Sequence, residues 1–219
     1  MINNLQNLRK IHFVGIKGAG MTALAQVLKA DGIRITGSDT KEKFFTDSVL
    51  NLLKIKYFEQ FKASNLADDV DAVIYSTAYD EKNPEIAAAK KRGLPLLTYP
   101  QVQGMLFRDK WGIAICGTHG KTTVAAILAD ILKVGGLDPT AIVGSQVIDW
   151  QSNALAGQSK YLVAEADEYQ NKFKYYQPKV LVINNIDYDH PDFFKTPKDY
   201  LKVFKDFVDK IPSDSFIIA

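Results

Sequence analysis

Residues 111–136, WGIAICGTHGKTTVAAILADILKVGG, run from an apolar stretch through a glycine-bracketed loop into a segment of helical period closed by two glycines. Strand, tight loop and helix in that order make the half of a βαβ unit that wraps phosphate. The loop, CGTHGKTT (116–123), is shorter than the commonest phosphate loop, because only Thr118 and His119 separate Gly117 from Gly120. Its amides still face the positive end of the following helix dipole. Lys121 has the length to reach β- and γ-phosphates, and the Thr122 hydroxyl suits a Mg2+ shell. A plain glycine turn would leave Lys121, Thr122 and Thr123 without a purpose.

Working outward, the same alternation recurs on both sides. IHFVGI (11–16), IRITGSD (33–39), DAVIYSTA (71–78) and LPLLTY (94–99) read as strands. MTALAQVLKADG (21–32) has the helical period at Met21, Leu24, Ala25 and Leu28, and PEIAAAKKRG (84–93) opens on proline and closes on glycine. This repeated βαβ pattern predicts an α/β chain whose N-terminal domain is Rossmann-like with a parallel sheet. Beyond the loop, TAIVG (140–144), YLVAEAD (161–167), KVLVINNI (179–186) and SFIIA (215–219) read as further strands. PKDYLKVFKDFVDKI (197–211) reads as a helix with its stripe at Leu201, Phe204, Val208 and Ile211. A boundary within QVQGMLFRDK (101–110) gives domains 1–108 and 109–219. Ending on a fresh apolar strand, the second is expected to be an incomplete, P-loop-type α/β domain.

Of the 219 residues, 47% are apolar and 24% charged, and the formal net charge is +2. That balance forces no basic face and argues against nucleic acid as the main partner. No apolar run approaches a membrane span, and MINNLQNLRKIHFVGIKG lacks the apolar core of a secretory signal. With Cys116 as the single cysteine, a cytoplasmic location without membrane insertion is expected.

Three further clusters carry chemistry. GIKGAGM (15–21) lies between a strand and a helix, with Ser38 and Asp39 ending the next strand. Its glycines run G-x-x-G-x-G, so the spacing suggests a diphosphate-containing nucleotide without distinguishing NAD from another, and a ligand-free βα turn is the alternative. YLVAEADEY supplies Glu165, Asp167 and Glu168 at a strand end, where a Mg2+-nucleotide site draws its carboxylate; alternation would point Glu165 and Asp167 the same way, and Glu168 is a ligand or a solvated loop charge. NNIDYDHPDFF (184–194) brings Asp189, His190 and Asp192, with His190 either a metal ligand or a loop histidine bonded to Asp192.

Together GIKGAGMTALA with GSD, GTHGKTT, EADEY and NNIDYDHPDFF resemble the Mur ligase family, ATP-dependent amide-forming enzymes of peptidoglycan synthesis, over essentially the whole chain. The resemblance implies ATP and Mg2+ as cofactors and Gly117, Thr118, His119, Gly120, Lys121, Thr122 and Thr123 as the ATP loop. It further implies Lys121, Glu165 and His190 as catalytic residues, with Thr122, Glu165 and His190 on the metals. The N-terminal loop is most similar to that of the alanine-adding branch, implying UDP-N-acetylmuramate and L-alanine as substrates. Gly18, Ala19, Gly20 and Met21 would then face the diphosphate, Ser38 and Asp39 the uridine end, and Ser76, Thr77 and Ala78 the same groove. A branch that adds a whole tripeptide is the alternative. Some members carry a carbamylated lysine after the metal-binding histidine; Lys205 stands at that spacing, on a lysine-rich helix. The family's third domain, which brings the amine, has no counterpart here, so the chain by itself is expected not to ligate. Two other classes compete: a NAD-dependent Rossmann oxidoreductase and a nucleotide-sugar-binding module without catalysis.

Overall fold

The computed structural model describes Leu5 and residues 7–219. The chain divides into two compact units, Met1–Val102 with Ser145–Ala156, and Gln103–Gly144 with Gly157–Ala219.

In the first unit β1 (Lys10–Val14), β2 (Arg34–Ser38), β3 (Lys56–Phe58), β4 (Ala72–Tyr75) and β5 (Leu96–Thr98) form one parallel sheet in the order β3-β2-β1-β4-β5. That order reverses between β1 and β4, and ligands bind such sheets beyond the strand ends at the reversal. The loops at residues 15–18 and 76–80 follow the two strands at that reversal. β1 is central, which explains its burial on both faces: Ile11, His12, Phe13 and Val14 are all fully buried. The helices are α1 (Ala19–Ala30), α2 (Phe45–Leu52) and α3 (Pro84–Lys91). α1 buries Met21, Leu24, Ala25 and Leu28, as its period requires. α3 starts where Asn83 Oδ1 accepts the amides of Glu85 (2.9 Å) and Ile86 (3.4 Å), with Pro84 in the first turn. Under it Val14, Leu66, Val70, Val73, Ile86 and Ala89 pack as one cluster.

α4 (Tyr99–Asp109) occupies the stretch expected to be a boundary. Pro100 sits in its first turn, where a missing N–H costs nothing, and Val102, Met105, Leu106 and Phe107 are buried. The second sheet has the order β11-β10-β6-β9-β7-β8. Its members are β6 (Trp111–Cys116), β7 (Thr140–Val147), β8 (Ser152–Ala156), β9 (Tyr161–Glu165), β10 (Val180–Ile183) and β11 (Phe216–Ile218). β6 pairs in parallel with both β9 and β10, so its C-terminal end is flanked by the ends of both neighbours. Two helices complete the unit, α5 (Lys121–Val134) and α6 (Pro197–Val208). α6 differs from expectation in its buried face, which is Tyr200, Phe204 and Phe207, while Leu201 is exposed. The aromatic ring of Phe173 decides this: it stacks on Phe207 at 4.3 Å and meets Phe204 edge-on at 5.2 Å. Residues 145–156 group with the first unit, where Gln26 Nε2 donates to Ala154 O (3.0 Å) and Asn153 Nδ2 to Ala19 O (2.7 Å). Among the described residues no helix is long and apolar enough to cross a membrane.

Candidate functional site

The first unit's candidate site begins where β1 runs out. The amides of Gly15 and Ile16 turn onto Ser38 O (2.9 and 3.1 Å), and the Lys17 amide donates to Asp39 Oδ2 (2.7 Å). The first bond of the α1 ladder is Thr22 N to Gly18 O (2.8 Å), so the amides of Ala19, Gly20 and Met21 precede the ladder at its positive end. Gly18 is exposed, Ala19 and Gly20 are half-buried, and the Met21 side chain is buried. A Cβ on Gly20 would meet the Tyr99 ring at 2.8 Å, so that glycine lets a tyrosine lie against the helix start. Ser76 is half-buried, whereas Thr77 and Ala78 are exposed.

Ser38 and Asp39 are both buried. Ser38 is fully buried and its hydroxyl donates to Glu85. That fully buried carboxylate also accepts from Asn65 Nδ2 (2.6 Å) and the Lys62 amide (3.1 Å) and lies 3.2 Å from His12 Nε2. Burial pushes Glu85 up, but its hydrogen bonds from His12, Ser38 and Asn65 hold it below the ordinary carboxyl value. Asp39 has both oxygens engaged, by the Lys17 and Thr40 amides (2.7 and 2.8 Å) and by Tyr79 Oη (3.3 Å). It braces the loop. Those three bonds take up most of the carboxylate's acceptor sites. Lys17, fully buried, is a second brace: its Nζ donates to Thr40 O (3.0 Å), Glu42 O (2.9 Å) and Glu59 Oε1 (3.1 Å) and pairs with Asp47 (3.1 Å).

In the second unit Cys116 ends β6, and the turn that follows needs glycine twice. Gly117 has φ 130° and Gly120, capping α5, φ 80°. Two asparagines just past β10 clamp the loop between them. The His119 amide donates to Asn185 Oδ1 (2.9 Å), His119 O accepts from Asn185 Nδ2 (3.0 Å) and Asn184 Nδ2 (3.4 Å), and the Thr118 amide reaches Asn185 O (3.3 Å). The Thr118 hydroxyl donates to Asp187 O (2.6 Å) and lies 2.8 Å from Tyr200 Oη. Asn184, Asn185 and Tyr200 are site residues that sequence reasoning passed over; the NN pair directly after a strand was the available signal.

Lys121 Nζ folds over the loop onto Gly117 O (2.6 Å) and Thr118 O (3.3 Å) and lies 3.5 Å from Glu168 Oε2. Thr122 hydrogen-bonds Glu165, whose Oε1 also accepts the Gly144 amide (2.6 Å). Burial pushes the Glu165 carboxyl above its ordinary value against those bonds. His119 and Thr123 are exposed. Asp167 lies past the end of β9, so strand alternation no longer governs it; it pairs with Lys172 and accepts the Tyr169 amide (2.9 Å). Glu168, read as a ligand or a solvated charge, is fully buried and takes a hydrogen bond from Tyr200 Oη (3.0 Å). Asp192 accepts from Tyr169 Oη (2.8 Å), while His190 Nε2 lies 3.8 Å from Glu168 and 3.9 Å from Asp189. Lys205 is exposed on α6. Among the described residues, ligand atoms of Asp167, Glu168 and His190 lie within 4.8 Å of one another.

Two family models divide the chain at this point. The Mur ligase family catalytic domain matches residues 10–111, and the Mur ligase middle domain matches residues 115–219. The chain belongs to the Mur ligase family. Curated relatives include the UDP-N-acetylmuramate–L-alanine ligase of Desulfitobacterium hafniense, 47% identical over 92% of this chain and 45% of that protein. The ligase of the same name from Geobacter sulfurreducens is 43% identical over 94% of this chain and 44% of that protein. The chain thus spans about half the length of the curated relatives it matches. Among solved structures, the UDP-N-acetylmuramate-alanine ligase of Thermotoga maritima gives a TM-score of 0.84 at 31% identity, over 95% of this chain and 48% of that one. The UDP-N-acetylmuramate:L-alanyl-gamma-D-glutamyl-meso-diaminopimelate ligase of Neisseria meningitides gives 0.85 at 30%, over 96% and 70%. The shortened loop is therefore carried on a Mur ligase fold.

Proposed function

We propose that this chain is the UDP-sugar-binding and ATP-binding part of an ATP-dependent ligase that joins L-alanine to UDP-N-acetylmuramate in peptidoglycan precursor synthesis. The observation that carries the reading is the asparagine-clamped Gly117–Thr123 loop, with Lys121 folded over it and the Thr122–Glu165 pair beside it. Alanine-adding relatives covering nearly the whole chain support the choice of branch over the tripeptide-adding alternative.

In this reading ATP phosphorylates the muramyl carboxylate, and the amine of alanine displaces phosphate from the resulting acyl phosphate. The loop amides and the α5 dipole bind the phosphates. Lys121 leaves its two loop carbonyls and neutralises charge on the transferring phosphoryl group, the electrostatic contribution on which phosphoryl transfer depends most. The Thr122 hydroxyl and the Glu165 carboxylate are an oxygen pair of the kind Mg2+ takes, and His190 would serve a second ion. Mg2+ bound there supplies charge neutralisation and orientation. In the first unit the Ala19–Met21 amides would take the uridine diphosphate, with Asp39 and Lys17 fixing the loop that presents them. Ser76, Thr77 and Ala78 lie across the same crevice.

Calorimetric titration with UDP-N-acetylmuramate, with NAD as control, tests this reading. Binding of the UDP sugar and not of NAD is expected. Binding of NAD alone would refute it. The chain with Mg2+-ATP, UDP-N-acetylmuramate and alanine is expected to release no ADP above background, because it spans about half the length of the ligases it matches.

A further inference from the structure

We propose that Asn153 is a positioning residue for the diphosphate of the UDP sugar. It holds the peptide unit between Ala19 and Gly20 in the direction in which that unit's amide meets the ligand. The inference rests on the UDP-sugar reading of the first unit's site.

Asn153 stands on β8, is fully buried, and donates from Nδ2 to Ala19 O at 2.7 Å. Ala19 is the first residue of α1, and in the helical ladder its carbonyl also accepts the amide of Ala23. The bond from Asn153 is therefore not needed to satisfy that carbonyl. Its effect is to fix a direction. A trans peptide is planar, so Ala19 C=O and Gly20 N–H lie in one plane and point opposite ways. With the carbonyl pinned by Asn153, the Gly20 amide stays aimed past the start of the helix, where the α1 ladder does not use it. A hydrogen bond accepted at the carbonyl also polarises the peptide and makes its N–H a better donor.

The attachment of β8 to α1 does not depend on Asn153. Gln26, two helical turns past Ala19 and on the same face, bonds the residues on either side of it. Ser152 Oγ donates to Gln26 Oε1 (2.6 Å), and Gln26 Nε2 donates to Ala154 O (3.0 Å). What Asn153 adds is the hold on the first turn. At the other end of the same peptide unit, the Tyr99 ring fills the space beside Gly20, where a Cβ would meet it at 2.8 Å. The unit is thus held at its carbonyl and at its glycine. An amide oriented before the ligand arrives has less freedom to lose on binding, which is how preorganisation raises affinity.

The test uses the 219-residue chain and two variants. Asn153→Ala removes the bond to Ala19 O. Gln26→Ala loosens β8 on α1 but leaves that bond in place. In calorimetric titrations Asn153→Ala should bind UDP-N-acetylmuramate and UDP about tenfold more weakly than the parent. Gln26→Ala should bind both as the parent does. Uridine, followed by saturation-transfer NMR, should bind all three proteins alike, because it has no diphosphate for the amide to meet. Parent-like UDP affinity in Asn153→Ala overturns the proposal. So does an equal loss in the two variants, or a loss for uridine as large as that for UDP, since each marks a merely structural role. Should Asn153→Ala fail to fold, nitrogen-edited NMR of the parent decides. Saturating UDP should move both the Gly20 amide and the Asn153 side-chain amide resonances, and an Asn153 resonance that stays still while Gly20 moves overturns the proposal. A parent chain that binds neither UDP-N-acetylmuramate nor UDP refutes the UDP-sugar reading and the proposal with it. If the parent binds both and Asn153→Ala binds them equally well, only the positioning role fails.

Discussion

Gly117 and Gly120 bracket the same loop, yet replacing each with alanine should have unequal effects. At Gly117 two costs combine. Its φ of 130° lies where side chains essentially do not go, a strain of about 1–3 kcal/mol. A Cβ there would also meet Asn185 O at 2.8 Å and Asn185 N at 3.1 Å, backbone atoms of the segment that clamps the loop. Moving that backbone adds about 1–3 kcal/mol, so Gly117→Ala should destabilise the second unit by about 2–6 kcal/mol. Gly120, with φ 80°, has only Asn184 Nδ2 at 3.4 Å in the way, a side-chain atom that can shift. Gly120→Ala then costs only the left-handed backbone, about 1–2 kcal/mol. Urea unfolding followed by circular dichroism should rank parent, Gly120→Ala and Gly117→Ala in that order, with ATP-analogue binding abolished in the last. Equal midpoints for the two variants, or a Gly117→Ala cost below about 1 kcal/mol, would refute the reasoning that the Asn185 backbone fixes the loop.

Glu85→Ala should cost the first unit about 3–5 kcal/mol, because it leaves several buried donors without their acceptor; a chemical denaturation midpoint within error of the parent would count against the network. The Glu85 carboxyl is held below its unfolded value, so its stabilisation is complete above about pH 4.3 and is lost as pH falls through the lower folded value. Glu85→Gln should therefore remove part of the steepening of acid unfolding below about pH 4, which melting curves between pH 3 and 6 would reveal. Gln103 joins Glu165 O (2.8 Å) to Tyr176 Oη (2.7 Å) inside the second unit. Gln103→Leu should cost about 2 kcal/mol by removing both bonds, with hydrogen exchange rising around residues 165–176; unchanged exchange there would show that the bridge does not hold the segment.

The alternation of strands and helices was legible because each central strand is buried on both faces and each glycine loop marks a crossing. What escaped was short or decided at long range. α2 and β3 are brief, and β3 has little buried surface to leave a pattern. α4 contains Pro100 and Gly104, residues that read as a linker until its Val102, Met105 and Leu106 face is seen buried. On α6 Leu201 and Tyr200 are equally plausible inward residues by period, and only the distant ring of Phe173 selects among the registers. Glu168 illustrates the same limit at the site. Three residues past a strand end it looks like a surface charge, and its burial depends on Tyr200, far along the chain. The loop residues 117–123 were readable because their spacing is local; their partners Asn184 and Asn185 were not, because a clamp is a tertiary fact.

Cys116, the last residue of β6, gives the Gly117–Thr123 loop a built-in chemical clock. It is fully buried, and burial together with the Glu168 charge pushes its thiol up to about 12. In the closed fold it is both unreachable and protonated, so at neutral pH there is no thiolate to attack a maleimide or disulfide reagent. Labelling then requires that the strand end open, and its rate reports how often it does. As the chain's single cysteine, Cys116 needs no competing thiols removed. Protection of this one sulfur by added nucleotide would measure, in an unmodified protein, how far phosphate binding stiffens the loop that follows it.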